Sequence, residues 1–345
     1  MTPAPEVVAI LRFGVVGDVV LTAPAIEALH RAWPRTRILF AVKARYRHLV
    51  ANNPHIAEVL PLDPGESPWS LAGRLRQRGV KAILDLHNTL RSKAIRACLP
   101  DVPSVVWHKR DFADTVAVKL VLRPYRASMP FADRYHAAVE RLVGQPLERG
   151  QLAYHLGPGD RDAADAVLRA AGVDLAKPIL GLSPGTNWAT KQWPAERFGE
   201  LAKRAVAAGL QVVVQGSGAE KHIVASVRAV APEAIDLSGQ LDLAGLGGLI
   251  SRCTAFVAND SGPMHIARGL GVPTLAFFGS TDPGMFHFTG HAVLFAGVSC
   301  SPCSFFGRAK CPKGHFRCML DLGVDQAWDA LQPLLQGGRR GLVTA

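Results

Sequence analysis

Aromatic residues make up only 7% of these 345 residues. That is too few to interleave a basic face with the stacking platforms on which nucleic-acid-binding folds rely. Long apolar runs are missing too, since none approaches the roughly 18–20 residues needed to span a bilayer. The opening Met1-Thr2-Pro3-Ala4-Pro5-Glu6 has no basic region followed by an apolar core, so no secretory leader is expected and the chain reads as cytoplasmic. Two nucleotide signatures are absent. There is no Gly-Lys-Ser/Thr of a Walker loop, and the first glycine loop is spaced Gly14-Val15-Val16-Gly17-Asp18, not Gly-x-Gly-x-x-Gly. The second strand-like run ends Ala41-Val42-Lys43 with no acid to hold a ribose, which argues against a nicotinamide-dependent enzyme. No Asp-x-Asp pair falls in a candidate site loop; Asp160-Arg161-Asp162 reads as a helix start.

Acidic residues are scarce where basic ones are not. Residues 1–150 carry 22 Lys/Arg against 13 Asp/Glu, whereas residues 151–345 carry 17 against 15, so nearly all of the +11 net charge belongs to the first half. Arg45, Arg47, Arg74, Arg76, Arg78, Arg91, Lys93, Arg96, Lys109 and Arg110 supply it. A nucleic acid, an anionic membrane surface or a large acidic substrate would each account for the asymmetry, and plain solubility remains the alternative.

What is present is an alternation of short apolar runs with helical patterns, which predicts an α/β fold with parallel sheets. The expected strands are Val7–Phe13, Ile38–Val42, Ala82–Leu86 and Ser104–Trp107, then Ile179–Ser183, Gln211–Gln215, Ala255–Ala258 and Pro273–Phe278. Helical patterns include Asp18–Ala32, Ala195–Ala208 and Leu243–Ser251, and a connection starts near Gly157-Pro158-Gly159. At this length two domains are expected. The reading is two doubly wound domains facing one another across a cleft, with chemistry in the loops after strands.

Four such loops stand out. Val257-Ala258-Asn259-Asp260-Ser261-Gly262-Pro263-Met264-His265 runs from a buried strand into a helix with Pro263 near its first position, and either aims backbone N–H groups and a helix dipole at an anion or is an ordinary strand-to-helix turn. In Gly14–Asp18, Asp18 either caps the following helix or serves as a general base facing the cleft. Ser183–Pro194 combines small residues and hydroxyls with a single cation, Lys191, suited to phosphate oxygens, or else is a solvated loop. In Gln215–Glu220 the acid Glu220 either accepts from ribose hydroxyls or favours a helix N-terminus.

Taken in order, Gly17-Asp18-Val19-Val20 with Pro24, Asp85-Leu86-His87 with Arg91-Ser92, and Pro184-Gly185-Thr186 with Lys191-Gln192-Trp193-Pro194 form a recognisable series. It continues through Asn259 to His265, Gly271-Val272-Pro273 and Phe278-Gly279-Ser280-Thr281-Asp282-Pro283. From about residue 7 to residue 325 the chain resembles the ADP-heptose:lipopolysaccharide heptosyltransferases, glycosyltransferase family 9. The resemblance implies a GT-B fold of two Rossmann-like domains: an acceptor-binding domain over 1–158, an ADP-sugar-binding domain over 159–325 and a C-terminal helix and tail over 326–345. It implies an inverting, metal-independent transfer of heptose from ADP-heptose to the Kdo-lipid A or heptosylated inner core of lipopolysaccharide. The enzyme would work peripherally on the inner face of the anionic inner membrane, with no nucleic acid as partner. Family members with another ADP-sugar or a protein acceptor are the alternative. By motif match, Asp18 is the base and Lys191 supports the diphosphate. Thr186, Glu220, Leu241, Asp260, Ser261, Gly262 and His265 line the donor, while Gly17, His87, Arg91 and Lys93 face the acceptor.

Four of the six cysteines fall in Cys300-x2-Cys303-x7-Cys311-x6-Cys318, a spacing open to a structural zinc or iron site, to free thiols or to redox pairing. No cofactor is expected for catalysis. Cys98 and Cys253 read as core residues.

Overall fold

The structure, a computed structural model, describes residues 4–108, 116, 118 and 124–337. Lys109 and Arg110 of the basic half, and the tail from 338, lie outside the described residues. The chain forms two compact units, Met1–Arg110 with Met129–Gly157, and Asp111–Ser128 with Pro158–Ala345.

In the first unit β1 (Val7–Leu11) is buried at all five positions, as a strand covered on both faces must be. It is followed by α1 (Val16–Val20), α2 (Ala23–Ala32), β2 (Arg37–Lys43), β3 (Glu58–Leu62), α3 (Pro68–Gln77), β4 (Ala82–Asp85), α4 (Leu90–Ala97), β5 (Ser104–Val106) and α5 (Phe131–Val143). The sheet runs β3-β2-β1-β4-β5 with every pairing parallel. Ile10 sits between Phe40 and Leu84, and side chains such as Leu11, Leu39 and Ile83 join α3 and α4 in one core.

The second unit contains α6 (Asp160–Ala170), β6 (Ile179–Ser183), α7 (Ala195–Ala207), β7 (Gln211–Val214), α8 (Lys221–Val230), β8 (Ile235–Asp236), α9 (Leu243–Arg252), β9 (Ala255–Asn259), α10 (Gly262–Gly269), β10 (Thr274–Phe278), β11 (Ala292–Phe295), α11 (Arg317–Leu320) and α12 (Val324–Gln336). Its parallel sheet runs β11-β10-β9-β6-β7-β8. On one face of this sheet, Phe198 and Leu201 of α7 and Ala327 and Leu331 of α12 close over Leu182, Val257 and Phe277. Each sheet thus begins at a central strand and reverses direction beside it, between β1 and β4 in one unit and between β6 and β9 in the other. Ligands of doubly wound sheets bind at such switch points, outside the carboxyl ends of the strands.

The eight expected strands are all present. Three others, β3, β8 and β11, escaped the sequence pattern, and all three are sheet edges. β3 carries Pro61, β8 is two residues long and β11 is only half-buried, so none has the continuous apolar signature of a central strand. The expected helix Asp18–Ala32 is broken in two after Val20. Pro24 has no N–H to continue the ladder, and the Thr22 hydroxyl turns back to the Val19 carbonyl at 2.6 Å. No helix among the described residues is long and apolar enough to cross a membrane.

Candidate active site

At the β6/β9 switch point the loop Pro184–Trp193 is closed by a single buried side chain. Asn259 ends β9; its Nδ2 donates to the Pro184 carbonyl at 2.7 Å and its Oδ1 accepts from the Trp193 backbone at 2.9 Å. Trp193 is itself fixed by stacking on Phe277, with centroids 4.1 Å apart, and by its indole N–H on the Leu322 carbonyl at 2.9 Å. In mid-loop the Thr190 hydroxyl lies 2.9 Å from that of Ser280 and accepts from the Arg308 backbone at 2.7 Å. A loop tied at both ends and at its middle holds Lys191 in one place.

The Lys191 ammonium meets the Asp260 carboxylate at 2.7 Å, with the two side chains only 12% and 5% exposed. Thr281 donates to the same carboxylate at 2.7 Å. An ammonium has three N–H donors, so one bond to Asp260 orients it and leaves two for oxygens of a ligand. Immediately beyond Asp260, α10 begins at Gly262 with Pro263 in its first turn and no side-chain cap. Its leading N–H groups are therefore free for an anion. The Ser261 hydroxyl lies buried with no partner among the described residues.

One turn on, His265 is buried, edge-on to Phe286, with Nδ1 3.4 Å from Arg268. Burial, then the charges of Arg268 and Lys191, push its pKa well below the ordinary 6.5 and keep the imidazole neutral. Burial likewise lowers Arg268 to about 10.

Glu220 follows β7 and closes a capping box with Ser217, accepting from its N–H and hydroxyl, both at 2.7 Å. Its other oxygen lies against Gly185, where an added Cβ would approach to 2.0 Å. Only glycine admits the carboxylate there, and this contact carries Glu220 to the side of Thr186, which is half-buried. Leu241 follows β8, half-buried over Gly245 at the start of α9, while Asp242 caps that helix through the Gly245 N–H at 2.8 Å. The structure thus brings Thr186, Lys191, Glu220, Leu241, Asp260, Ser261, Gly262 and His265 to one edge of the second sheet.

In the first unit the loops after β1 and β4 meet at the other switch point. Asp18 does not cap the helix, as one sequence reading allowed: α1 starts at Val16 with Val15 at its N-cap position, and no side chain caps it. Instead, the Asp18 carboxylate pairs with the Arg12 guanidinium. Arg12 also donates to the Leu86 carbonyl at 2.7 Å, binding the two loops together. Asp85, fully buried, accepts from the backbones of His87 and Asn88 and from Arg96, at 3.0, 2.8 and 3.0 Å, and so shapes the second loop. The His87 ring packs edge-on against Phe13 at 5.0 Å. Gly17 is buried within α1 and Arg91 is half-buried at the start of α4. Lys93 is exposed, and two positions along a helix turn it about 200° from Arg91, so these two do not share a face.

Of the three readings left open for the cysteine cluster, a structural metal finds no support. Among the described residues no group of three or more His, Cys, Asp or Glu side chains is placed to hold an ion. Cys318 sits in α11 inside the second core, and Cys303 is buried with its backbone on the Ser280 carbonyl at 3.0 Å. The Cys300 sulfur lies 3.5 Å from His315 Nε2, and none of the four cysteines is in a disulfide. Burial, and after it the neighbouring Cys303, Cys311 and Cys300, push Cys318 up to about 12; burial also raises Cys303, with Arg308 opposing and Cys300 and Cys311 adding to the rise.

Sequence reasoning missed Arg12 and Arg268 as parts of these sites, and it placed Asn259 and Thr281 within its motifs without giving either a role. Arg12 left one trace, a lone cation inside the apolar run Val7–Phe13.

The family model for glycosyltransferase family 9 (heptosyltransferase) matches residues 68–307, a span that includes Lys191 and Asp260 but begins after Asp18. The chain is 30% identical over 313 residues to lipopolysaccharide heptosyltransferase 1 of Pseudomonas aeruginosa, covering 86% of this chain and 85% of that protein. It is 25% identical over 288 residues to lipopolysaccharide heptosyltransferase 2 of Escherichia coli, covering 78% and 81%. Among solved structures, a family 9 glycosyl transferase from Veillonella parvula superposes with a TM-score of 0.79 at 21% identity over 98% of this chain and 99% of that one.

Proposed function

This chain belongs to glycosyltransferase family 9, the heptosyltransferases, and from that premise we propose that it moves L-glycero-D-manno-heptose from ADP-heptose to the Kdo/heptose inner core of lipopolysaccharide with inversion. The observation that carries the donor half is the Lys191–Asp260 pair beside the uncapped start of α10. Lys191, the Ser261 hydroxyl and the helix N–H groups are donors suited to a diphosphate. Asp260, an acceptor, suits sugar hydroxyls, as Glu220 suits those of the ribose. Leu241 offers an apolar wall to adenine.

In the reaction, Asp18 takes the proton of the acceptor hydroxyl while its oxygen bonds to the anomeric carbon. The bond from that carbon to the diphosphate oxygen breaks on the opposite face, and ADP leaves with the electron pair. Lys191 and the α10 dipole offset the charge gathering on it, so no metal is needed.

The acceptor is anionic and held by a lipid. Three apolar side chains stand exposed where first-unit strands end: Val15 after β1, Trp69 after β3 and Leu90, at 85% exposure, after β4. Basic Arg45 and Arg47, in the turn after β2, and Arg91, at the start of α4, belong to the same edge. We read that edge as the face that rests on the inner leaflet of the inner membrane from the cytoplasm.

The test is thermal shift with ADP, UDP, GDP and CDP, followed by turnover on purified inner-core acceptors bearing Kdo alone or Kdo with one heptose. ADP at 100 times its Kd stabilises the protein by about 2.7 kcal/mol, and the other diphosphates do so much less. Asp18→Asn binds ADP as before but turns over about 100- to 10,000-fold more slowly. An equal response to UDP refutes the donor assignment, and full activity of Asp18→Asn refutes the base. Transfer of a different ADP-sugar, or transfer to protein, would replace the substrate reading.

A further inference from the structure

We propose that Arg12 is the positioning residue of the transfer reaction, holding the Asp18 carboxylate in its working orientation; this rests on the reading of Asp18 as base. Arg12 is the first residue after β1, and its side chain is only 6% exposed. Burying a guanidinium is costly unless its charge and donors are matched. Here the charge and the two terminal nitrogens are matched by different elements, while Nε lies buried with no partner among the described residues. Nη1 donates to the Leu86 carbonyl after β4 at 2.7 Å, and Nη2 pairs with Asp18 in α1. The cation lies 5.7 Å from the ring centroids of both Trp107, just past β5, and Tyr135 on α5. Those two rings meet edge-on at 4.9 Å. Burial works against the charge of Arg12, yet Tyr135 and Asp18 together hold its pKa above the ordinary value, so it stays a cation.

The consequence is geometric. Asp18 sits in a helix of five residues, too short to be rigid by itself. Its carboxylate would otherwise be free to rotate, and a base acts only from within hydrogen-bond reach of the proton it takes. Arg12 is anchored to the strand-end loop of β4 and braced by two buried rings, so the orientation of Asp18 is inherited from the sheet. A planar guanidinium can serve Leu86 and Asp18 with different nitrogens; a lysine ammonium, a point donor on a flexible stem, cannot reproduce that span.

The test uses the full chain and a double-mutant cycle. Arg12→Met is expected to lower kcat about 100-fold with the KM for donor and the ADP affinity unchanged. Arg12→Lys keeps the cation and recovers part of the rate, remaining about tenfold below wild type. In an Asp18→Asn background both substitutions are expected to cost less than about threefold, because Arg12 acts through a carboxylate no longer there. A merely structural Arg12 would lower the residual rate by the same factor in both backgrounds, which overturns the proposal. So does a kcat within threefold of wild type for Arg12→Met. If Arg12→Met does not fold, Arg12→Lys alone carries the cycle with the same criteria. An Asp18→Asn enzyme that retains full activity overturns the base reading itself, and a dead Asp18→Asn beside a fully active Arg12→Met overturns only the inference about Arg12.

Discussion

Replacing Asn259 with Ala removes no group from the reaction, yet its effect can be worked out from the structure. Asn259 is completely buried and spans the Pro184–Trp193 loop, donating to the carbonyl at one end and accepting from the N–H at the other. Alanine leaves both backbone groups buried with no partner from this side chain. Each such orphan costs about 1–3 kcal/mol, so the pair costs about 2–6 kcal/mol. At roughly 2–4 °C per kcal/mol for a unit of around 200 residues, the melting temperature falls by on the order of 10 °C. The same ties set the position of Lys191, so ADP affinity falls as well. Melting by circular dichroism and ADP titration by calorimetry measure the two effects. Asn259→Asp is the informative companion: its carboxylate can accept from Trp193 but faces the Pro184 carbonyl oxygen with nothing to donate, so it is expected to melt no higher than the alanine variant. If Asn259→Ala melts within about 2 °C of wild type and binds ADP normally, then Trp193 stacking and the Thr190–Ser280 bond hold the loop, and the role assigned to Asn259 is wrong.

Acid stability offers a second test. Burial, then Arg268, lowers His291 from 6.5 to about 4, so between those values the unfolded chain binds a proton that the folded chain does not. Stability therefore falls as pH drops, by about 2 kcal/mol between pH 6.5 and 5. His291→Gln is expected to lose less than wild type between pH 7 and pH 5, and equal losses in thermal melts would contradict the assignment. Thiol labelling provides a third. With iodoacetamide at pH 8, read by mass spectrometry, half-buried Cys300 and Cys311 modify before Cys303 and Cys318, whose thiols burial keeps protonated. Protection of all four that is lifted by a chelator would restore the metal site.

Much of this protein is written locally. Continuous apolar runs announce central strands because a strand covered on both faces needs them, which is why β1, β6, β9 and β10 were legible. Pro263 and Gly271 bracket α10 by the same short-range logic, and the polar residues gathered after those strands marked both sites. The edge strands β3, β8 and β11 escaped because a half-buried strand of two to five residues leaves no periodic signature, and α1 separated from α2 because Pro24 sat inside an otherwise helical pattern.

What only tertiary structure decided are the partnerships between residues far apart in sequence. Asp18 looked like a cap or a base because its local neighbours permit both; the cation that claims it is held by Leu86, 74 residues from Arg12. Asn259 acquires its role from a loop 66 to 75 residues earlier. Cysteine spacing from Cys300 to Cys318 left a ligand set, free thiols and redox pairing open, and only the folded chain shows Cys303 and Cys318 buried with Cys300 and Cys311 half-buried. Spacing along a chain constrains local conformation, whereas hydrogen bonds and ion pairs between distant segments exist only once packing of the sheets has brought their groups together.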